Sequence, residues 1–355
     1  MESPSLFQVQ RNKEKANCMA ESLTLHEFLS APGTILDVRS PGEYVQGRIP
    51  GAFSLPLFTN EERAIVGTTY KQVSKQAAIQ QGLEIVRPKL ANFTRFAQEH
   101  AINGHVRVHC WRGGMRSSSM AWLLRTVGLK AITLVGGYKT FRRFVINTVG
   151  QSYRLHVIGG LTGSGKTAIL RALRDQGEQV LDLEGLANHR GSSYGMIGMS
   201  AQPSSEHLEN EIAFQLNAFD SQKRIWIEDE SRLIGTCRIP DGLFAQMMIA
   251  PLFLVERSLS ERLEVLRRDY GHADKHELIL ASQRLAKRLG NVRTKEIVGH
   301  ISEGRLDEAM EMVLEYYDST YCHGLKQRSI IYRFGEEGLS DSDWAQQLVS
   351  YANCT

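Results

Sequence analysis

The sequence predicts an α/β protein made of two consecutive domains, each with a parallel sheet and flanking helices. Three observations lead to this fold class. Strand-like apolar runs alternate with helix-like segments twice along the chain, which is the pattern of βαβ units. A glycine-rich loop opens the second series, and the 355 residues exceed what one hydrophobic core usually supports. We therefore expect an N-terminal arm at residues 1–20, a first domain at residues 21–150 and a second at residues 151–355.

The first domain is predicted to alternate short buried strands with helices. Apolar runs bounded by turn residues predict its strands, at residues 34–38, 51–55, 106–109 and 131–135. Apolar spacing predicts its helices, at residues 43–46, 90–100, 117–127 and 141–149. The third strand ends just before Cys110, so we expect this cysteine at the carboxyl end of a parallel sheet, where the binding sites of such sheets lie.

The second domain repeats the alternation and then becomes mostly helical. Its strands are predicted at residues 154–158, 179–183, 224–227 and 252–255, with a helix at 166–174 after the glycine-rich loop. Beyond residue 260 we expect a helical C-terminal part, with helices at residues 260–270, 275–289, 294–303 and 305–316.

The composition is that of an ordinary globular protein, with 42% hydrophobic and 23% charged residues and a net charge of +3. Five scattered cysteines without a C-x-x-C pair argue against a disulfide framework and a structural zinc site, so a reducing compartment is expected. No apolar run approaches the roughly 20 residues of a membrane span, and residues 1–20 lack the apolar segment of a signal peptide. We expect a cytoplasmic protein without a membrane partner.

The segment HCWRGGMRS at residues 109–117 places Cys110 at the head of a loop that favours a thiolate. Its glycines let backbone N–H groups turn toward the sulfur, its arginines add positive charge, and the following helix directs its N-terminus at the loop. We predict Cys110 as the catalytic nucleophile. The predicted anion-binding residues of the loop are Arg112, Gly113, Gly114 and Arg116.

The length of this loop bears on its chemistry. The pattern H-C-x5-R-S matches cysteine phosphatases, in which the loop cradles a phosphate and the thiolate attacks phosphorus. Plain sulfurtransferases of the rhodanese type usually have a loop one residue shorter. Loop length therefore favours a tetrahedral group of the size of a phosphate.

Residues 160–167 satisfy the phosphate-binding pattern G-x-x-x-x-G-K-[ST], after a predicted strand and before a predicted helix. Backbone N–H groups of such a loop converge on phosphate oxygens, Lys166 reaches terminal oxygens, and Thr167 can hold Mg²⁺ together with Asp229 in a Walker-B arrangement. Glu228 and Glu230 are alternatives to Asp229. The predicted diphosphate-binding residues are Gly160, Gly163, Ser164, Gly165, Lys166, Thr167 and Asp229. The motif indicates a bound phosphate chain and leaves the organic part of the ligand open.

Two sets of motifs carry a resemblance to a known family. The segment DVRSPGEYVQGRIPGA at residues 37–52 resembles the rhodanese signature, with Arg48 where histidine is typical. Added to it are the Cys110 loop, GGYK at residues 136–139, the glycine-rich loop, DLEGLANHRGS at 182–192 and EDESR at 228–232. Together they resemble the tRNA 2-selenouridine synthases over nearly the whole chain. The resemblance implies a rhodanese-like domain followed by a P-loop NTPase-like domain.

The resemblance also implies a reaction. Enzymes of that family replace the sulfur of wobble 2-thiouridine in tRNA with selenium from selenophosphate. They are also associated with transfer of a geranyl group to the tRNA sulfur, which turns a poor leaving group into a thiol. On this basis Cys110 would engage selenium, as a perselenide or a close equivalent, while Arg112 and Arg116 hold oxygens. The P-loop would bind geranyl diphosphate rather than ATP, and no tightly bound cofactor is expected.

A tRNA substrate requires a surface that binds phosphates. A basic run without acidic residues favours residues 284–295 for this role, unless it is simply a solvated helix face. The predicted tRNA-binding residues are Arg284, Lys287, Arg288 and Arg293, with Lys295 beside them. Arg142 and Arg143 are a second candidate. Tyr194 could stack on a splayed base or could be a packing residue.

Two other functions remain open at this stage. One is a cysteine phosphatase fused to a nucleotide-binding module, although no general acid is evident. The other is a P-loop small-molecule kinase that carries a rhodanese module for binding. The sequence leaves the oligomeric state open.

Overall fold

A computed structural model describes residues 22–326, 328 and 330–354. The predicted N-terminal arm, with Cys18, lies outside the described residues. The chain divides into two compact units between Ile146 and Asn147. Each unit contains a five-stranded sheet in which every pairing is parallel, so the α/β fold class is confirmed. Among the described residues, no helix combines the length and apolar character needed to cross a membrane.

The first unit is a parallel sheet with the strand order β1-β5-β4-β2-β3. Its strands are β1 (Ser22–Leu23), β2 (Thr34–Asp37), β3 (Phe53–Ser54), β4 (His105–His109) and β5 (Lys130–Leu134). Its helices are α1 (Leu25–Ser30), α2 (Pro41–Gln46), α3 (Asn60–Gln72), α4 (Lys75–Val86), α5 (Leu90–His100), α6 (Met115–Thr126) and α7 (Gly137–Val149), whose last three residues lie beyond the boundary. A 3₁₀ turn, Arg87–Lys89, joins α4 to α5.

Burial explains why β2 and β4 occupy the middle of this sheet. Leu36 on β2 and Val108 on β4 are fully buried, and Phe93 on α5 and Leu124 on α6 pack into the same core. Burial of this extent is typical of parallel sheets covered by helices on both faces. The end of β4, and the cysteine that follows it, are therefore anchored in a well-packed core.

The second unit has the strand order β12-β11-β6-β8-β7, with a separate antiparallel pair formed by β9 and β10. Its strands are β6 (Leu155–Gly159), β7 (Gln179–Leu181), β8 (Ile225–Glu228), β9 (Leu233–Ile234), β10 (Cys237–Arg238), β11 (Leu252–Val255) and β12 (Ile331–Phe334). Helices α8 to α12 are Lys166–Asp175, Leu183–Ala187, Ser205–Ala218, Asp241–Ile249 and Leu259–Tyr270. Helices α13 to α17 are Lys275–Arg284, Ala286–Leu289, Asn291–Ser302, Leu306–Leu325 and Asp341–Cys354.

Several predicted boundaries were wrong. The strand expected at residues 179–183 ends at Leu181, because the Asp182 side chain caps α9 and accepts from the Gly185 N–H at 2.7 Å. The helix expected at residues 275–289 is interrupted at Leu285. The C-terminal part is mostly helical, as expected, and β12 adds the outer strand next to β11. Helices α3 and α4 were not predicted.

Candidate functional site

Cys110 follows β4 directly, on a loop that ends where α6 begins at Met115. The start of α7 holds this loop in place. The Tyr138 N–H donates to the Cys110 carbonyl oxygen at 2.8 Å, and the Lys139 N–H donates to that of Trp111 at 3.0 Å. The loop is thus anchored through its own backbone on the side away from the thiol.

The two predicted glycines of the loop differ in their φ angles and in the space available for a side chain. Gly113 has a φ of 64°, and a Cβ there would lie closer than 3.0 Å to the Leu134 carbonyl oxygen. Gly114 has a φ of −100°, and a Cβ there would meet nothing within 4 Å. Only Gly113 is required by the backbone path.

The Cys110 thiol lies at the bottom of the loop and is only 2% exposed. Its Sγ is 3.2 Å from the hydroxyl oxygen of the fully buried Ser117, which also lies 3.1 Å from the Gly114 carbonyl oxygen. Within the described chain, the N–H groups of residues 111–114 donate no hydrogen bond to another residue. Together with the N-terminus of α6, these groups can receive an anion above the sulfur.

The two predicted arginines are placed differently. The guanidinium of Arg116 donates to Glu43 at 3.1 Å, and Arg63 approaches the same carboxylate at 3.9 Å. Burial acts to raise the pKa of Glu43, but the charge of Arg116 and the Ser40 N–H outweigh it and hold that pKa below its usual range. Arg112 is exposed, and no other described residue forms an ion pair with it. The structure therefore orients Arg116 and leaves Arg112 to the ligand.

A buried polar network beneath the loop was not predicted. The guanidinium of Arg39 donates to Asp37 at 2.9 and 3.0 Å and to the Gly47 carbonyl oxygen at 2.6 Å, and it stacks 3.7 Å above the Tyr138 ring. Burial lowers the pKa of His109, whose Nε2 lies 3.7 Å from Asp37. The network ties the ends of β2 and β4 together. The D-V-R of the rhodanese signature was the sequence signal for it.

The glycine-rich loop joins β6 to α8, as predicted. Positive φ values occur at Gly160, Gly163 and Gly165, where a side chain would be strained. The Lys166 ammonium donates to the Gly160 carbonyl oxygen at 3.2 Å, so it lies across the loop. Ser164 is 1% exposed, and its hydroxyl oxygen has no hydrogen-bond partner among the described residues. Such an orphaned polar atom inside a phosphate loop fits an anionic ligand.

The two residues of the predicted magnesium pair have different hydrogen-bond partners. The Thr167 hydroxyl donates to Glu184 at 2.9 Å, whereas the Asp229 carboxylate accepts from the Tyr321 hydroxyl at 2.8 Å and pairs with Arg328. Among the described residues, no group of three or more His, Cys, Asp or Glu side chains could hold a metal ion. We therefore assign no step to a metal here.

The two alternative acids beside Asp229 lie in surroundings that raise their pKa values. Burial, with Asp182 and Glu184 as negative neighbours, raises the pKa of Glu228 well above its usual range. Burial and the carboxylate of Glu184 do the same for Glu230. These surroundings favour the protonated form of both side chains.

Two contacts that sequence patterns did not mark support the phosphate loop. The Tyr321 hydroxyl accepts from the Gly160 N–H at 3.0 Å, and Arg262 donates to the Thr162 carbonyl oxygen at 2.8 Å. Arg262 also forms two hydrogen bonds with Asp318, which lies on α16 like Tyr321. Helix α16 thus contacts the loop directly at Gly160 and through Arg262 at Thr162.

Two apolar cavities border the phosphate loop. The larger, the Leu161 cavity, has a volume of about 300 Å³. Its walls are apolar at Leu161, Leu254, Val255, Tyr321, Leu325 and Ile331, and they also include Cys322 and the charged residues Glu256, Lys326 and Arg333. The smaller, the Tyr194 cavity, has about 40 Å³, and its walls include Thr162, Tyr194, Leu266, Tyr270 and Met310.

Tyr194 is a packing residue. Its hydroxyl lies 2.8 Å from the Ser282 hydroxyl, its ring meets that of Tyr270 edge-on, and burial raises its pKa to about 12. The structure thus favours the packing alternative over base stacking.

The predicted tRNA-binding residues are only partly free. The side chains of Arg284, Lys287, Arg288 and Lys295 are exposed. Arg293, by contrast, pairs with Glu315 and donates to the Met312 carbonyl oxygen at 2.8 Å, so it serves the packing of α15 on α16. Of the second candidate pair, Arg143 is exposed and Arg142 is half-buried.

Comparison with known proteins matches both units. A family model described as the rhodanese-like domain matches residues 23–143, and one described as the tRNA 2-selenouridine synthase AAA domain matches residues 153–348. The chain belongs to the tRNA 2-selenouridine synthase family. A synthase of this family from Pseudomonas entomophila strain L48 is 32% identical over 86% of this chain and 91% of its own length. One from Psychromonas ingrahamii is 34% identical over 83% of this chain and 88% of its own.

Membership in the synthase family confirms the resemblance on which the sequence analysis relied. The departure at Arg48 is accommodated, because its guanidinium lies 4.9 Å from the centre of the Tyr44 ring. A solved structure, the N-terminal domain of a putative ATP/GTP binding protein from Clostridium difficile 630, is 38% identical. It covers 35% of this chain and 98% of its own, with a TM-score of 0.34.

Proposed function

We propose that this chain replaces the sulfur of wobble 2-thiouridine in tRNA with selenium from selenophosphate, through an S-geranylated nucleoside made from geranyl diphosphate. Family membership supports the overall reaction. The observation that carries the finer assignment is the pair of anion cradles, one with a buried thiol at its base and the other beside an apolar cavity. A tRNA substrate also favours the cytoplasm as the location.

Selenophosphate is assigned to the Cys110 loop. It is a tetrahedral anion, and the loop offers N–H groups without internal partners, the oriented cation of Arg116 and the exposed cation of Arg112. Charge-assisted hydrogen bonds of this kind are about twice as strong as neutral ones. Cys110 is the group placed to react, because its Sγ lies under the position that these donors surround.

Geranyl diphosphate is assigned to the glycine-rich loop, with its hydrocarbon chain in the Leu161 cavity. The loop amides, Lys166 and the orphaned Ser164 hydroxyl suit a diphosphate. The volumes favour the Leu161 cavity over the Tyr194 cavity for the hydrocarbon chain. About 40 Å³ is little more than the roughly 30 Å³ of one water, whereas about 300 Å³ reaches the lower end of ligand pockets.

The tRNA is assigned to the exposed basic residues around α14. Arg284, Lys287 and Arg288 carry their charge in solvent, where phosphates can approach, and Lys295 lies beyond the next turn. Arg293 is left out of this assignment because Glu315 already neutralises it.

The experiment supplies purified chain with two tRNAs, one carrying 2-thiouridine and one already S-geranylated, and measures nucleosides by mass spectrometry. Lys166→Ala should abolish selenation of the thiouridine tRNA and spare the geranylated one, because only the first needs the diphosphate. Cys110→Ser should abolish both. Equal loss on both tRNAs with Lys166→Ala would contradict the assignment of geranyl diphosphate to the loop.

A further inference from the structure

We propose that Cys110 attacks the phosphorus of selenophosphate and takes the phosphoryl group, so that selenium leaves as selenide and not as a cysteine-bound perselenide. This inference rests on the proposed function, which places selenophosphate in the Cys110 loop. It changes the role of the cysteine from selenium carrier to phosphoryl acceptor.

The shape of the loop supports attack at phosphorus. Cys110 is a residue only 2% exposed, and it is followed by the start of α6 and by residues 111–114, whose N–H groups donate to no other residue in the described part of the chain. Donors arranged in this way bind the three oxygens of a phosphoryl group and leave its phosphorus facing the thiolate. Selenium then points out of the cradle, in line with the attacking sulfur.

Electron balance allows a perselenide only if phosphorus is reduced to phosphite or an external oxidant is added. The selenium of selenophosphate is fully reduced, and so is a thiolate sulfur. Joining them by an S–Se bond would leave two electrons on phosphorus, giving phosphite, or would require an external oxidant. Attack at phosphorus requires neither, because it exchanges one nucleophile on phosphorus for another.

The Cys110 thiolate forms an S–P bond with hydrogen selenophosphate while the P–Se bond breaks, and hydrogen selenide anion leaves with the bonding pair. Selenide adds to C2 of the S-geranylated base, and geranyl thiolate leaves and takes a proton from water. Water then attacks the phosphocysteine, releasing inorganic phosphate and restoring the thiolate.

The carboxyl groups near the loop agree with selenide as the leaving group. Glu43, which contacts Arg116, and Asp37, which contacts Arg39, both have pKa values below the usual range, although burial alone would raise them. Neither carboxyl therefore holds a proton at neutral pH. A phosphatase acting on an alcohol ester needs such a proton for its alkoxide. Selenide is a much weaker base and leaves without one.

Ser117 is the positioning residue of this cycle. Its single hydroxyl hydrogen has two acceptors within reach, Cys110 Sγ at 3.2 Å and the Gly114 carbonyl oxygen at 3.1 Å. Donation to sulfur stabilises the thiolate before attack and again when it leaves phosphorus. Once sulfur is bonded to phosphorus, the hydrogen can turn to the Gly114 oxygen.

The test uses the full-length chain and selenophosphate labelled with radioactive phosphorus in one sample and radioactive selenium in another. Rapid quenching is followed by mapping of the peptide that contains Cys110. We expect the phosphorus label on Cys110 and no selenium label. The selenium isotope pattern serves as a second criterion, since a phosphoryl group and a selenium atom add similar mass. Cys110→Ser should lose the label, and Cys354→Ser, which alters an exposed cysteine, should retain it.

The rate at which Cys110 is labelled in Ser117 variants tests the positioning role of this residue. Ser117→Ala should slow labelling about 10- to 100-fold, the range of a hydrogen bond to a charged group, while Ser117→Thr should restore it. Selenium on Cys110 without phosphorus, or neither label at any quench time, would overturn the proposal. If Cys110→Ser leaves selenation intact, the proposed function itself is wrong at this residue.

Discussion

Removing the Arg39 guanidinium should destabilise the first unit strongly. The Arg39 side chain is 1% exposed and pairs with the fully buried Asp37. Arg39→Met keeps much of the volume and leaves a buried carboxylate without its partner. Breaking a buried pair from one side costs about 3–5 kcal/mol in unfolding free energy.

The pH dependence gives the sign of the effect. In the parent chain the pKa of Asp37 is lowered, so its contribution is present above the unfolded pKa of about 3.9 and is lost as pH falls through the lower folded value. In Arg39→Met the remaining buried carboxylate is protonated more easily. The stability difference between the two proteins should therefore shrink toward acid pH. His109 is common to both proteins.

Hydrogen exchange measured by mass spectrometry suits this test, because peptides from β2 and β4 report unfolding of the first unit alone. Arg63→Met is the matched control, since the Arg63 side chain is 50% exposed and 3.9 Å from its partner, and it should cost no more than about 0.5 kcal/mol. A second variant, Asp37→Asn with Arg39→Met, should recover part of the loss. Equal losses for the Arg39 and Arg63 variants, or a difference that does not change with pH, would refute the reasoning.

Two further predictions concern the two binding surfaces. Gly113→Ala should cost at least about 1 kcal/mol in stability and abolish selenation, because φ is positive there and the new Cβ would meet the Leu134 carbonyl oxygen. Gly114→Ala should be tolerated. Selenation activity and thermal melting of both variants check this prediction. The double variant Lys287→Gln, Arg288→Gln should lower the slope of the logarithm of the tRNA affinity against the logarithm of salt concentration by about 0.7 for each phosphate that the chain no longer neutralises. The control Arg305→Gln, at an exposed ion pair, should leave this slope unchanged. An unchanged slope in the double variant would exclude α14 as the tRNA surface.

The parts of the site that the sequence predicted are those that depend on local geometry. Gly113, Gly160, Gly163 and Gly165 all have positive φ values, and such positions appear in a sequence as glycines at fixed offsets from Cys110 or Lys166. The strand before each loop and the helix after it are also local patterns. Their combination was enough to predict both cradles and the α/β class of each unit.

The parts that could not be predicted depend on contacts between distant positions. Asp229 follows a buried strand, as a magnesium ligand would, but its partners are 92 and 99 positions away, at Tyr321 and Arg328. Strand-plus-acid patterns carry no information about which cation or hydroxyl packs against them. Likewise, Arg293 belongs to the basic run by sequence, and only the packing of α15 on α16 places Glu315 beside it.

In both anion-binding loops the main cationic side chain already donates to an acceptor within the protein. Lys166 donates to the Gly160 carbonyl oxygen at 3.2 Å, a neutral acceptor that a diphosphate oxygen readily replaces, because an anionic acceptor forms the stronger bond. Arg116 instead donates to Glu43, which is itself anionic and also accepts from the Ser40 N–H at 3.0 Å. An anion in the Cys110 loop therefore shares Arg116 with Glu43 rather than displacing it. This arrangement keeps Arg116 oriented before and after the phosphoryl group leaves, and it limits how tightly the product phosphate is held.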